Sequence, residues 1–164
     1  MRSTVLLFSL VLLLGSCYSF KGISIEPDID TYFVSPQFKD NTQNTPPNLP
    51  QNISERLKDK VRLESRLVFT DTDPDVEFIG TLVSYRVSSE APQPGESSAL
   101  NRLTITVAID YISHKYEENS WKKNFSFFFD FPANQDLSAV EDQAIDEILE
   151  QMMEDIFNEA FSNW

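Results

Sequence analysis

Apolar and polar residues alternate most regularly between residues 103 and 111. A period of two is typical of a β-strand that has one face on the core and the other in water. The apolar positions are Leu103, Ile105, Val107, Ile109 and Tyr111. A second alternating run predicts another long strand, which Pro132 ends. Its apolar positions are Phe125, Phe127, Phe129 and Phe131.

Three less regular runs predict the other strands. Residues 31–34 are β-branched and aromatic, residues 66–70 form a short candidate, and residues 76–89 form a long one. The long run changes its apolar parity near Gly80, which predicts a β-bulge at that glycine. Polar, Pro-rich segments predict a loop over 37–50 and a hairpin tip over 91–98.

Two segments have the four-residue apolar spacing of amphipathic helices. The first begins near Asn48 to Pro50, because Asn caps helices well and Pro is tolerated in the first turn. The second runs from about 136 or 137 to 163 without Gly or Pro. We therefore predict an α+β fold: a two-layer sandwich with a mainly antiparallel four-stranded sheet and two helices on one face.

The first sixteen residues predict a cleaved secretory signal peptide. A single Arg2 precedes an apolar run over residues 5–14, which is about half of the roughly 20 residues needed to cross a bilayer. The sequence Leu-Gly-Ser-Cys at 14–17 resembles the bacterial lipobox, which predicts that Cys17 becomes the lipid-bearing N-terminus. Cys17 is the only cysteine, so the chain has no internal disulfide. Residues 17–30 then form a lipidated tether, and residues 31–164 form a single domain.

The net charge of −13 limits the classes of partner. Nucleic acid is not expected as a partner, because binding it requires clustered cations that displace phosphate counterions. A strongly acidic protein is also a poor direct binder of an anionic membrane surface. We therefore expect the lipid on Cys17, rather than charge, to hold the protein at the membrane.

The residues give little from which to assemble an enzyme. His114 is the only histidine and lies in a predicted turn, where no second histidine or nucleophile accompanies it. Asp71, Asp73 and Asp75 look like the start of a calcium loop, but Pro74 interrupts them and the Gly and distal Glu of that motif are missing, so a plain turn is favoured. We expect no catalysis, no metal site and no cofactor.

Two features leave a structural and a functional interpretation open. From Asp136 onward the last helix has nine acidic residues and no Lys or Arg. These form either a solvated face or a face that meets a basic partner. Phe128 places an aromatic ring on the nominally wet face of its strand, where either a helix or loop covers it or a partner does.

The order of the elements after the lipobox resembles the LptE-like lipopolysaccharide-assembly lipoproteins, in particular a Bacteroidetes-type branch. The resemblance rests on Cys-Tyr-Ser-Phe at 17–20, Ala-Pro-Gln-Pro-Gly-Glu at 91–96, Leu-Asn-Arg-Leu-Thr-Ile at 100–105 and Trp-Lys-Lys-Asn-Phe-Ser-Phe at 121–127. It implies an outer-membrane lipoprotein on the periplasmic side that forms a complex with the LptD β-barrel as a plug. Such a protein assists lipopolysaccharide transport and assembly at the cell surface and catalyses no reaction.

The resemblance also implies lipopolysaccharide binding by basic side chains near the hairpin tip. Arg102 is the best match, Arg86 faces it across the predicted hairpin, and Lys122 and Lys123 are weaker candidates. An arginine fork suits the phosphates of lipid A, although both arginines are equally explained as ordinary exposed strand residues. The alternative function is a periplasmic, lipid-anchored carrier that binds a small apolar ligand between helices and sheet; an enzyme accessory subunit is a third possibility.

Overall fold

The computed structural model describes residues 24–90 and 99–162. The predicted signal peptide, the lipidation site Cys17 and the predicted hairpin tip at 91–98 lie outside these residues. The elements in chain order are β1 (Thr31–Val34), β2 (Lys39–Asp40), α1 (Leu49–Glu64), β3 (Val68–Phe69), β4 (Val76–Glu90), β5 (Leu100–Ser113), β6 (Trp121–Pro132) and α2 (Glu141–Phe161). Short 3-10 turns at Glu117–Asn119 and Leu137–Ala139 precede β6 and α2.

The six strands form one mixed sheet in the order β3-β1-β4-β5-β6, with β2 also paired to β4. The long strands β4, β5 and β6 are antiparallel neighbours, whereas β1 runs parallel to both β3 and β4, and β2 runs parallel to β4. The α+β class is confirmed, but the predicted four-stranded, mainly antiparallel sheet is wrong. Strand β3 lies within the predicted candidate 66–70, whereas β2 lies in the predicted loop 37–50, because two residues are too few to show a period in the sequence.

Strands β1 and β2 pair with successive parts of the same edge of β4. Val34 pairs with Phe78 and Lys39 pairs with Thr81, so the residues between β1 and β2 pass Gly80 along this edge. The predicted bulge exists, but the register shift lies between Leu82 and Ser84 rather than at Gly80. Gly80 itself keeps the regular alternation, because its pairing partner on β5 is a buried isoleucine.

Both helices pack on one face of the sheet. The first helix starts at Leu49 as predicted, although the Asn48 side chain makes no capping hydrogen bond. The helices lie side by side, since Lys60 of α1 forms an ion pair of 2.8 Å with Glu154 of α2. Every second residue of β5 from 103 to 111 is buried beneath them. The apolar helix positions that complete the core are Leu49, Ile53, Leu57, Val61, Ala144, Ile148, Met152 and Ile156.

Residues 24–30 are docked on the domain. Ile29 is only 2% exposed, and the Ser24 N–H donates a hydrogen bond of 2.8 Å to the Phe161 carbonyl. The described part of the predicted tether therefore packs against the end of α2. The domain boundary itself stays a prediction.

Candidate functional site

The four predicted basic site residues do not form one cluster. Arg86 and Arg102 lie near the end of the β4–β5 hairpin, whereas Lys122 and Lys123 lie at the start of β6, at the opposite end of the sheet. Lys122 pairs with Asp110 on β5, which is roughly 26 Å along the strand from Arg102 at about 3.3 Å per residue. One bound phosphate group is too small to bridge both pairs of residues.

The two lysines also lie on different faces and are both neutralised. Lys122 lies on the helix-free face and forms an ion pair of 2.8 Å with Asp110. Lys123 lies on the face that the helices cover, where it forms an ion pair of 2.6 Å with Glu159 of α2. These pairs weaken the case for either lysine as an anion-binding group.

Arg102 is held in a fork by Asp130 on the neighbouring strand. Its Nε and Nη2 atoms donate hydrogen bonds of 2.7 and 2.8 Å to the two carboxylate oxygens. The guanidinium also lies 3.7 Å from the centroid of the Phe128 ring. The hydrogen bond with Arg102 lowers the pKa of Asp130. The sequence reasoning missed Asp130, which only the β5–β6 register places opposite Arg102.

Arg86 lies on the same face as Arg102 but not directly opposite it. The bulge sets a register in which Arg86 pairs with Thr104 and Arg102 pairs with Ser88. The predicted direct facing of the two arginines is therefore wrong, and they are diagonal neighbours. Arg86 is exposed, and no ion pair links it to any residue within 24–90 or 99–162.

The face of the sheet opposite the helices is exposed to solvent in the described part of the chain. Phe128 is 51% exposed and Ile79 is 41% exposed on it. Between them lie small polar side chains, including Thr106 and Ser126, whose hydroxyls are 2.8 Å apart. This mixture is more apolar than a fully solvated face needs to be, but it forms no large hydrophobic patch. The sequence left open whether a helix or loop of this chain or a partner covers Phe128. No described helix covers it, because both helices lie on the other face of the sheet.

The chain enters the domain at the end of the sheet opposite the hairpin. Ser24 bonds to the end of α2, and Glu26 accepts a hydrogen bond of 2.9 Å from Asn119 in the β5–β6 turn. The Tyr111 and Trp121 rings stack at this end, with centroids 5.3 Å apart. Tyr111 and Arg102 lie on the same strand, β5, so this end of the sheet is about 30 Å from Arg102 at about 3.3 Å per residue.

The exposed acidic side chains of α2 fall into two groups, those that form ion pairs with described residues and those that do not. Asp146, Glu154 and Glu159 form ion pairs with Arg56, Lys60 and Lys123, which join α2 to its neighbours. The other exposed acidic residues of the helix, which are Asp142, Glu147, Glu150 and Asp155, form no ion pair with a described residue. Part of the acidic face is thus structural and part is available to a partner.

The titratable groups of the described residues do not converge on a reaction centre. His114 lies 2.8 Å from the Glu77 carboxylate at the surface. Within residues 24–90 and 99–162, no group of three or more His, Cys, Asp or Glu side chains is arranged to hold a metal ion. Asp75 is held by Lys115 and by two backbone N–H groups. None of the helices in these two ranges combines the length and the apolar character needed to span a membrane.

A carrier function requires an enclosed apolar cavity between helices and sheet. Leu103, Ile105 and Val107 instead have no exposed surface, and neither do Ile53 and Ile148 of the two helices. A groove between β6 and α2 has a volume of about 730 Å³ and is open to the surface. Polar side chains form much of its wall. The closed core does not favour the carrier interpretation.

Comparison with known proteins gives a family match over most of the chain. The family model described as "LptE: Lipopolysaccharide-assembly" matches residues 31–160. No curated protein sequence matches the chain.

Several solved structures are similar to this chain at low sequence identity. A protein from Chlamydia trachomatis is 7% identical with a TM-score of 0.52, and the alignment covers 82% of this chain and 99% of that one. A minor lipoprotein from Acinetobacter baumannii is 9% identical with a TM-score of 0.47, covering 81% and 96%. Lipoprotein B from Nitrosomonas europaea is 12% identical with a TM-score of 0.46, covering 83% and 88%. At such identities the likeness concerns the fold alone.

Proposed function

The chain belongs to the LptE family of lipopolysaccharide-assembly proteins, and from that premise we propose a specific role for it. The protein is an outer-membrane lipoprotein that faces the periplasm and forms a complex with the LptD β-barrel as a plug. In that complex it assists lipopolysaccharide transport to the cell surface and catalyses no reaction. The observation that carries the proposal is the family match over residues 31–160.

The position of Ser24 supports an anchor at one end of the domain. Ser24 lies seven positions after Cys17, and an extended chain over that interval reaches at most about 25 Å. A lipid on Cys17 thus keeps Ser24 and the adjacent end of the sheet within this distance of the membrane, whereas the β4–β5 hairpin lies at the other end of the sheet. The acyl chains make the attachment stable and raise the effective concentration of the domain beside a barrel in the same membrane.

The surface of the domain suits the lumen of a large barrel. A barrel lumen is polar and water-filled, and the helix-free sheet face presents Thr, Ser, Asp and Arg side chains around Phe128. A domain with this mixed surface fits inside a polar lumen better than within the lipid. The same face supplies the exposed Arg86 and the Asp130-bound Arg102 near the hairpin end.

Lipopolysaccharide contact through these arginines is a narrower part of the proposal. Arg86 has no ion pair within residues 24–90 or 99–162 and offers its positive charge to a lipid A phosphate, whereas Arg102 must exchange Asp130 for the phosphate. Lys122 and Lys123 start from ion pairs at the other end of the sheet and contribute less. We therefore rank Arg86 above Arg102, and both above the lysines.

A pull-down in mild detergent tests the role. The lipidated protein is captured through a C-terminal tag, and Cys17→Ser is the control that removes the lipid site. We expect a large outer-membrane β-barrel in stoichiometric amount with the unaltered protein and less with the control. Recovery of the lipoprotein without a barrel contradicts the plug role, and recovery of a small bound lipid instead supports the carrier.

A further inference from the structure

Strand β6 is an edge of the sheet among the described residues, because it pairs only with β5. It is twelve residues long, which is twice the usual length of a strand at about 5–6 residues. Edge strands of this length present a row of unpaired backbone groups that recruit other strands.

The centre of the β6 edge has none of the usual protection against pairing. Residues 124–129 read Asn-Phe-Ser-Phe-Phe-Phe, with no charge, no Pro and no Gly. Such a window is typical of segments that add to other strands. Charged side chains occur only at its flanks, at Lys122, Lys123 and Asp130, and both Lys122 and Asp130 are ion-paired within the sheet.

The direction of the free backbone groups follows from the ladder. The Ala133 N–H donates to the Ala99 carbonyl across the end of the β5–β6 pair, at 3.1 Å. N–H groups of an antiparallel strand alternate between its two sides, and the β5–β6 register has no shift. The outward set therefore contains Asn124, Ser126 and Phe128. Pro132 falls in the same set, where its missing N–H costs no ladder bond.

The groove between β6 and α2 runs along this edge. Five consecutive β6 residues, from 123 to 127, line it, although their side chains alternate between the two sheet faces. Only the backbone edge of a strand brings both faces to one groove. Across from the strand, α2 contributes Phe157 with Asp155 and Glu159. A strand added to β6 would place every second side chain into this groove.

We infer that the β6 edge binds an extended segment of the partner protein by strand addition, with Lys or Arg side chains of that segment lying toward Asp155. This inference rests on the proposed function, since it assigns the contact to the barrel protein. Asp155 is exposed and has no ion pair among the described residues, which favours a basic occupant. A second copy of this chain is disfavoured, because each copy brings a net charge of −13.

Proline substitution at an outward position tests the backbone contact. Ser126→Pro removes an outward N–H without removing a bond to β5, and Ser126→Ala is its matched control, because both variants lose the hydroxyl contact with Thr106. The proline variant loses the hydrogen bond between this N–H and the added strand and weakens the adjacent backbone bonds. We therefore expect roughly tenfold less co-purified barrel with Ser126→Pro than with Ser126→Ala. Thermal unfolding of both variants establishes that each is folded.

Lysine substitution tests the charge of the occupant. Asp155→Lys places a positive charge in the groove, and Glu147→Lys makes the same change on the solvated side of α2. We expect only Asp155→Lys to weaken the complex. Equal effects would mean that the groove does not select a basic segment and would overturn that part of the inference.

Hydrogen exchange of the lipidated protein in detergent, alone and in the barrel complex, completes the test. We expect the peptide covering 121–132 to exchange more slowly in the complex than alone. If the complex forms but this peptide exchanges equally and both Ser126 variants bind alike, the strand-addition inference fails and the plug role stands. If no barrel complex forms, both fail. Protection of this peptide in the isolated protein would also overturn the inference. If that protection depends on protein concentration, a second copy covers the edge; if it depends on residues 17–23, this chain covers its own edge.

Discussion

The ring of Phe38 lies directly over Gly80, so closely that a Cβ atom added to the glycine would lie 2.1 Å from two ring carbons. Phe38 is 1% exposed and lies between β1 and β2, which pair with neighbouring parts of the β4 edge. The absence of a side chain at Gly80 thus leaves room for the ring of Phe38, which lies in the segment between β1 and β2. Close approach of a side chain, rather than a turn, explains the glycine in this strand.

Gly80→Ala should destabilise the domain by about 1–3 kcal/mol, because an added methyl group in a filled core forces the ring to move. Denaturant unfolding of Gly80→Ala measures the cost. In a Phe38→Ala background, which itself loses about 3–5 kcal/mol, the glycine substitution should cost much less. An equal cost in the two backgrounds would show that the ring contact is not the cause.

The long elements of this fold were predictable because each carries its own period. The alternation of β5 and the four-residue stripe that starts at Leu49 locate a strand and a helix without knowledge of their neighbours. The parallel pairing of β1 with β4 has no such local signal, and neither does the two-residue strand at Lys39. The strand Val68–Phe69, by contrast, lies within the predicted candidate 66–70. The parity change in β4 indicated a bulge, but a glycine used for packing drew the prediction away from its true position at Val83.

Freeing the Arg102 guanidinium should strengthen binding of lipopolysaccharide. Asp130→Asn removes the competing carboxylate and should raise the affinity, whereas Arg86→Ala should lower it roughly three- to tenfold, because a charged contact to phosphate is lost. Binding of purified lipopolysaccharide at low and moderate salt measures both effects. Glu147→Gln, at an exposed position of α2, makes the same change in net charge as Asp130→Asn and is the control for that variant. If neither Asp130→Asn nor Arg86→Ala changes the affinity more than this control, the arginines are ordinary surface residues.

The surroundings of Arg86 and Arg102 were only partly predictable, because they depend on how β4, β5 and β6 are aligned with one another. The sequence identifies Arg102 as a basic residue beside a hairpin, but its ion pair depends on Asp130, which is 28 positions away in the chain. Pairing at that distance is set by the length of the β5–β6 turn, and the offset of Arg86 is set by the bulge in β4. Neither is encoded in the local pattern around the arginines.

Acid should reveal the contribution of Asp75 to stability. Burial raises the pKa of this carboxyl, but hydrogen bonds from the Asp30 N–H, the Lys115 ammonium and the Thr31 N–H outweigh it and hold the pKa well below its usual range. Because the folded pKa lies below the unfolded value of about 3.9, the contribution is fully present above that pH and is lost as the pH falls toward the folded pKa.

Asp75→Asn should therefore be less stable than the unaltered protein at neutral pH, by roughly 1–3 kcal/mol for weakened hydrogen bonds to a charged group. The difference in the free energy of unfolding should shrink as the pH falls from about 5 to about 2. Urea unfolding of both proteins across this range measures it. A difference that does not change with pH would mean that the charge of Asp75 does not strengthen its bonds to the Asp30 and Thr31 N–H groups and to Lys115.

Phe125 and Phe128 test whether the two faces of β6 differ in solution as they do in the structure. Phe125 is 5% exposed beneath the helices, whereas Phe128 is 51% exposed on the other face. Phe125→Ala should cost about 3–5 kcal/mol, because it leaves a cavity in the core, and Phe128→Ala should cost less than about 1 kcal/mol. Denaturant unfolding of the two variants measures these costs. Equal losses would mean that Phe128 is buried in the free protein. A small loss in stability, combined with weaker recovery of the barrel, would mean that a partner covers the ring only in the complex, because the same side chain then contributes to binding without contributing to folding.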